Sequence, residues 1–306
     1  MKIAVIGAGQ VGAAFAWHVI ENELADVVFV DVAGDMAAGK ALDMRQSAPI
    51  IGFDSKITGG SDYAQIEGAD ICVVTAGFPR LPGMDREELL EKNVNIIKEA
   101  GSNIKKYAPE SIIINVTNPL DVLSYVLMKI TGFPRRRVIG MAGALDSARF
   151  KTFIAMELGV SVEDVSAIVL GGHGDLMVPL PRYSSVSGIP IEELLEKDVI
   201  DRIIQRTING GSEIVGLLKK GGAYYAPGAS VYQMAESIIK NKGRILAGSV
   251  YADGEYGLKD VFVGLPIKIG KTGIEKIIEL ELKPSEKQAL EKSAEKVKAH
   301  ITKIKL

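Results

Sequence analysis

Short uninterrupted apolar runs recur through the first half of the chain, at residues 2–6, 27–31, 71–75, 111–116 and 137–141. Each is followed by a turn and then by a longer stretch compatible with a helix. The cores IAVI, VVFV, ICVV and SIIINV do not alternate with polar positions, as a half-exposed strand would. Continuously apolar strands are the kind covered by helices on both faces, and their alternation with helical segments predicts βαβ units and a parallel sheet. The expected class is therefore α/β with a doubly wound parallel sheet over residues 1–142.

Past residue 143 the rhythm changes. The pattern predicts a helix over 145–158, strands near 165–170 and 177–181, long helices from about 198 and 232, and further strands near 244–251 and 258–267. Residues 285–304 read as one charged amphipathic helix, with Ser285 as N-cap and Pro284 before it. A second, α+β domain is thus expected over 143–306, packed on the first with a cleft between them.

Composition narrows the partners. At 306 residues the chain is long for a single core. A formal net charge of −2 gives no electrostatic drive toward nucleic acid or an anionic membrane. No apolar segment is long enough to span a bilayer and the first residues enter a strand pattern at once, so a cytoplasmic protein is expected. The lone Cys72 lies in an apolar run, which excludes an internal disulfide and a cysteine-based metal cluster. A small-molecule partner is favoured and no metal is called for.

Gly7-Ala8-Gly9-Gln10-Val11-Gly12 forms a G-x-G-x-x-G. With 33 glycines in the chain the pattern alone says little; its place between a strand and a helix, with Asp31 closing the next strand, makes it a Rossmann-type dinucleotide site. Gly7 would make the tight turn, Gly9 would let the backbone approach the pyrophosphate, and Gly12 would pack helix on strand. Asp31 would bind the adenosine ribose and repel a 2′-phosphate, and Val32-Ala33-Gly34 offers no base to compensate. NAD is expected over NADP. The plainer role for Asp31 is to cap the next helix; Trp17 and His18, inside the first helix, read as packing residues.

Three histidines are present, so the search for a base near neutral pH is short. His18 is mid-helix and His300 is on the terminal charged helix. His173 sits in Gly171-Gly172-His173-Gly174-Asp175 after a strand, where glycines let backbone and substrate come close. Such a histidine needs an orienting carboxylate. Asp146 is the candidate, with Arg149 at i+3 on the same helix; taken alone, the two could equally be a surface ion pair.

Residues 76–86, AGFPRLPGMDR, put Arg80 and Arg86 in a loop with two prolines and two glycines. That composition suits a hinged loop closing guanidinium groups onto a bound anion, although solvated loop arginines are the bland reading. Val116-Thr117-Asn118-Pro119 ends another strand, where Asn118 could bond the nicotinamide or the substrate hydroxyl. Gly7, Asp31, Arg80 and Asn118 all follow carboxyl ends of expected strands, the edge at which doubly wound sheets bind ligands.

Together GAGQVG, VTAGFPRLPGMDR, VTNPLD, VIGMAGALDSARF, GGHGDLMVPLPR and EYGLKDVFVGLP resemble the lactate and malate dehydrogenases, most closely the malate enzymes of lactate-dehydrogenase-like type, along essentially the whole chain. The resemblance implies a Rossmann NAD domain, a substrate domain, and homo-oligomers, a tetramer for this type. It makes His173 the proton acceptor, Asp146 its partner, Arg149 the grip on the C1 carboxylate and Arg86 the group polarising the C2 oxygen. Asn118 would touch substrate and cofactor, and Asn93, Val116 and Thr117 would lie on the nicotinamide side. Arg80 stands where lactate dehydrogenases are expected to carry glutamine; an arginine there suits a second carboxylate, hence the dicarboxylates malate and oxaloacetate. Rivals are a lactate or other 2-hydroxy acid dehydrogenase, a short-chain reductase or epimerase prompted by Tyr125-Val126-Leu127-Met128-Lys129, and a non-catalytic NAD-binding module.

Overall fold

The computed structural model describes residues 1–78 and 86–304, with side chains from residue 88 onward in the second stretch. In chain order the first half comprises β1 (Lys2–Ile6), α1 (Gln10–Glu21), β2 (Asp26–Val30), α2 (Gly34–Gln46), α3 (Ala48–Ile51), β3 (Ile57–Gly60), β4 (Ile71–Val74), α4 (Arg86–Tyr107), β5 (Ile112–Asn115), α5 (Leu120–Thr131) and β6 (Val138–Gly140). The second half comprises α6 (Ala142–Leu158), β7 (Val165–Ser166), β8 (Val169–Gly171), β9 (Met177–Pro179), β10 (Ser185–Val186), β11 (Ile189–Pro190), α7 (Ile191–Leu194) and α8 (Lys197–Leu218). It continues with α9 (Tyr225–Ile239), β12 (Arg244–Asp253), β13 (Lys259–Gly270), β14 (Gly273–Ile277) and α10 (Pro284–Ile301).

The order β3-β2-β1-β4-β5-β6 is parallel throughout, with Ile3 level with both Val27 and Ile71. The apolar strands divide between two core layers because successive side chains point to opposite faces. Ile3, Val5, Val27, Phe29, Ile71 and Val73 face one layer, under α1 and α9; Ala4, Ile6, Val28, Val30, Cys72 and Val74 face the other, under α4 and α5. Both layers are buried, which is why neither set is polar. The strand order reverses between β1 and β4, opening the crevice where such sheets bind ligands.

The sheet does not stop at β6. It continues antiparallel through β12, β13, β8 and β9, pairing Ser249 with Gly140 and Gly264 with Gly171. A Cβ at Gly140 would lie 2.4 Å from Leu120 Cδ2 and 2.8 Å from Ser249 Cβ, so this glycine lets α5 and β12 meet over the end of β6. A third cluster, including Phe150, Ile154, Val169, Ile200 and Ile203, packs α6 on α8 beside the small sheet β11-β10-β7.

Several expectations need correction. The single strand expected over 165–170 is two, β7 in the small sheet and β8 in the large one, with the chain passing between sheets at Ala167-Ile168. The edge strand β3, sequence ITGG, was not expected; Gly59 sits where a Cβ would be 2.4 Å from Ala37 O, so contact with α2 rather than apolar character selects it. Helix α9 begins at Tyr225, ahead of 232, because Pro227 falls in its first turn, where no N–H is needed. For the same reason Pro284 is inside α10 rather than before it, and Lys283 takes the N-cap, its N–H donating to Glu286 Oε2 at 2.7 Å.

Candidate active site

Each glycine of the first turn has a separate geometry. Gly7 has φ +102° and a Cβ there would meet Ala76 N at 2.5 Å; at Gly12 it would meet Gly7 O at 2.3 Å. These two are closed in by protein. A Cβ on Gly9 would meet nothing within 4 Å, so the turn presents bare backbone to open space at the sheet's crevice. Helix α1 starts immediately afterwards, and the N–H groups of its first turn have no intrahelical acceptor. Such a cradle, beside an acid at the end of β2, fits a dinucleotide diphosphate and ribose.

Asp31 does not cap α2, whose N-cap is Ala33. Its Oδ2 accepts the Ala8 N–H at 2.7 Å and its Oδ1 accepts the Ala33 N–H at 2.9 Å. An ionised carboxylate has about four acceptor sites, so each oxygen retains one for a ribose hydroxyl. Lys40, on α2, donates from Nζ to the Ala8 carbonyl at 2.8 Å. That contact is invisible to a motif reading confined to residues 32–34.

In the second half of the chain, Asp146 Oδ2 lies 2.9 Å from His173 Nδ1 and Asp146 Oδ1 lies 3.3 Å from an Arg149 terminal nitrogen. The three side chains are 3%, 18% and 13% exposed for Asp146, His173 and Arg149. A carboxylate only accepts, so Nδ1 carries the proton toward Asp146 and Nε2 is left to exchange one. Burial pushes the His173 pKa down, but the charge and hydrogen bond of Asp146, with Asp121 adding, outweigh it and hold the imidazole above its ordinary value. Arg149 lies along Gly210 and Gly211 of α8, where a Cβ on Gly210 would be 3.1 Å from Arg149 Cδ. Two adjacent glycines inside a helix are costly, and here they make room for the guanidinium.

His173 is fixed by its backbone as well. Gly171 and Gly174 flank it with φ +84° and +88°. Its N–H donates to Asp121 Oδ2 at 2.9 Å, while Asp121 Oδ1 accepts the Ser249 hydroxyl at 2.6 Å. Asp121 belongs to VTNPLD on α5, so a residue of the first half holds the histidine loop of the second. Burial pushes the Asp121 carboxyl pKa upward against these two hydrogen bonds. Asp121 belongs to no catalytic spacing pattern, and its one signal in the sequence is a lone carboxylate in the otherwise apolar start of α5, LDVLSYVL.

Asn93, on α4, is 1% exposed. Its Oδ1 accepts the Phe78 N–H at 2.7 Å and its Nδ2 donates to the Asn118 carbonyl at 2.8 Å. Thr117 Oγ1 donates to the Ala76 carbonyl at 2.7 Å. Asn93 and Thr117 thereby tie the base of the arginine loop to the segment after β5, where Val116 is half-buried and the Asn118 side chain exposed. Arg80 lies outside the described residues; Arg86 opens α4 and its side chain lies outside them too.

Other candidates have structural uses. Tyr125 Oη reaches Asp260 at 3.4 Å and Lys129 Nζ lies 4.9 Å from the Tyr125 ring centroid, a packed cluster with Tyr251. His18 Nδ1 is 2.9 Å from Glu21 Oε1 on its own helix. Trp17 meets Phe53 edge-on. Cys72 is fully buried, its thiol pushed up to about 12 by burial, so it is inert as a nucleophile.

A parallel sheet with a bare glycine turn at its crevice, together with a carboxylate-oriented histidine and an arginine, fits a dinucleotide-dependent oxidoreductase. The lactate/malate dehydrogenase NAD binding domain matches residues 1–140, and the lactate/malate dehydrogenase alpha/beta C-terminal domain matches residues 143–306. The chain belongs to the lactate/malate dehydrogenase family. It is 51% identical over 306 residues to a malate dehydrogenase of Methanosarcina mazei, covering 100% of each chain. The apo malate dehydrogenase of Picrophilus torridus superposes with a TM-score of 0.96 at 48% identity, over 98% of this chain and 96% of that one. A lactate dehydrogenase of Cryptosporidium parvum, solved with lactic acid and nicotinamide adenine dinucleotide, superposes with a TM-score of 0.95 at 43% identity, over 98% and 96%. The shared fold therefore carries both substrate preferences.

Proposed function

We propose that the protein interconverts malate and oxaloacetate with NAD, with residues 1–142 binding the dinucleotide and residues 143–306 supplying the acid–base and carboxylate-binding groups. The observation that carries this reading is the buried Asp146, which orients His173 at 2.9 Å and Arg149 at 3.3 Å. NAD, when bound, supplies the nicotinamide that accepts a hydride from C2 of the hydroxy acid and returns it in reverse. His173 takes the hydroxyl proton at Nε2 during oxidation and gives it back during reduction, while Asp146 stabilises the imidazolium. Arg149 holds the C1 carboxylate through a planar pair of donors. Arg86 stabilises charge on the C2 oxygen, and Arg80 receives the second carboxylate.

Gly7, Ala8, Gly9, Gln10, Val11, Gly12 and Asp31 bind the adenosine and diphosphate side of the cofactor. Val116, Thr117 and Asn118 line the nicotinamide side, and Asn93 acts there by holding Phe78 and Asn118. The preference for malate rests on Arg80 and on relatives near 50% identity that bear the name malate dehydrogenase. We place the enzyme in the cytoplasm as a homotetramer. No described helix is long and apolar enough to cross a membrane. Exposed apolar side chains on α2–α3 (Met36, Leu42, Ile50, Ile51) and at the end of α8 (Leu217, Leu218) offer contact surfaces.

Oxidation of NADH followed at 340 nm with oxaloacetate, beside the same assay with pyruvate, tests the function. The expected result is a kcat/KM at least about 100-fold higher for oxaloacetate, as one desolvated charge pair allows. Equal or higher kcat/KM with pyruvate would assign the chain to the lactate branch. Mass measured in solution tests the tetramer.

A further inference from the structure

The glycine turn is held by two charged side chains of opposite sign, and the mechanism uses only one of them. Asp31 takes the Ala8 N–H at 2.7 Å; Lys40, 32 residues away on α2, donates to the Ala8 carbonyl at 2.8 Å. Ala8 itself is fully buried while Lys40 is half-buried. The Lys40 ammonium is thus directed at a neutral backbone carbonyl.

That carbonyl belongs to the Ala8–Gly9 peptide. The peptide is trans, and a trans peptide carries its N–H opposite its C=O. Fixing the oxygen therefore fixes the Gly9 N–H, at the one glycine of the turn whose α-carbon faces open space. An ammonium on the carbonyl also polarises the amide and strengthens its N–H as a donor to an anion.

We propose that Lys40 is a cofactor-positioning residue, which locks the Ala8–Gly9 peptide in the orientation that receives the cofactor diphosphate and adds positive charge beside it. The inference rests on the reading of this turn as the NAD site. Lys40 touches no reacting atom, so it acts on cofactor affinity and leaves hydride transfer unchanged.

The test compares wild type with Lys40→Met and Lys40→Arg in three measurements. NADH dissociation constants are read by fluorescence without substrate, steady-state kcat and KM for NADH by absorbance, and hydrogen exchange of residues 7–12 in the apoenzyme by mass spectrometry. Lys40→Met is expected to weaken NADH binding by about 10- to 30-fold, the loss of one charge-assisted hydrogen bond, and to raise KM(NADH) to match with kcat within about twofold. Exchange of residues 7–12 should quicken. Lys40→Arg, which keeps a cationic donor, should bind NADH within about threefold of wild type.

A Lys40→Met protein that binds NADH like wild type, or whose 7–12 exchange is unchanged, overturns the role of Lys40 alone. A wild type that binds no NADH overturns the functional reading and this inference with it. If Lys40→Met does not fold, Lys40→Arg decides: NADH binding weakened more than about tenfold in a folded Lys40→Arg, with a wild-type Tm, contradicts the need for a cation at this position.

Discussion

Replacing Asp146 with asparagine keeps the shape of the site and removes one charge. In the structure this carboxylate is almost fully buried and has no solvent to replace its two partners, His173 at 2.9 Å and Arg149 at 3.3 Å. During oxaloacetate reduction the protonated imidazole must be present before the proton is given up, and it loses its counter-ion in Asp146→Asn. Breaking a buried pair of this kind costs several kcal/mol, less what the neutral amide recovers by hydrogen bonding, leaving about 2–4 kcal/mol. In kcat this is roughly a 30- to 900-fold loss. The amide introduces a second change, because it can donate to Nδ1 and favour the tautomer that leaves no lone pair on Nε2. The assay is kcat for oxaloacetate reduction at saturating NADH, followed from acidic to alkaline pH. Wild-type activity should be retained at lower pH and fall as pH rises through the raised His173 pKa. With the carboxylate gone, burial dominates and the descending limb should move to lower pH. A variant within about threefold of wild type, or one whose limb does not move that way, would refute the pairing as the source of catalytic basicity.

Other outcomes follow from the same geometry. Malate oxidation should run opposite to reduction, rising with pH through the His173 pKa. The stability contributed by the His173–Asp146 pair should be complete below the unfolded histidine value of about 6.5 and lost as pH climbs through the folded value, which urea titrations across that window would show. Gly12→Ala, crowding Gly7 O, should lower stability by about 1–3 kcal/mol. Gly9→Ala, facing open space, should leave Tm near wild type and raise the NADH dissociation constant. Asp121→Asn, which leaves an amide N–H facing a site built for two donors, should cost about 1–3 kcal/mol by denaturant unfolding and lower kcat by loosening His173. Gly210→Ala displaces the Arg149 stem and should raise KM for oxaloacetate more than it changes kcat.

The first half of the fold was legible because its strands are buried on both faces: residues such as Ile3 and Ala4 face different core layers, so neither can be polar and the run stands out. Strand β3 was not, since two of its four residues are glycine and contact with α2 selects it. Continuation of the sheet from β6 into β12 leaves no local mark either, because Gly140 and Ser249 are joined only in space. His173, Asp146 and Arg149 could be read from a histidine among glycines and an i,i+3 acid–base pair. Asp121, Ser249 and Lys40 were missed: each acts on backbone or on another buried group far along the chain, and such contacts have no sequence spacing. The glycines at 210 and 211 were visible but became meaningful only against the Arg149 side chain.

The proposed reaction is a hydride transfer in this crevice between nicotinamide and the C2 carbon of a four-carbon dicarboxylate, with His173 handling the proton. It is tested most directly by incubating the enzyme with NADH deuterated at C4 on the transferred face, in an equimolar mixture of oxaloacetate and pyruvate, and analysing the products by mass spectrometry and NMR. One deuterium at C2 of malate, little labelled lactate, and a large loss of label transfer in His173→Asn are expected. Deuterium arriving chiefly in lactate, or undiminished labelling of malate by His173→Asn, would contradict it.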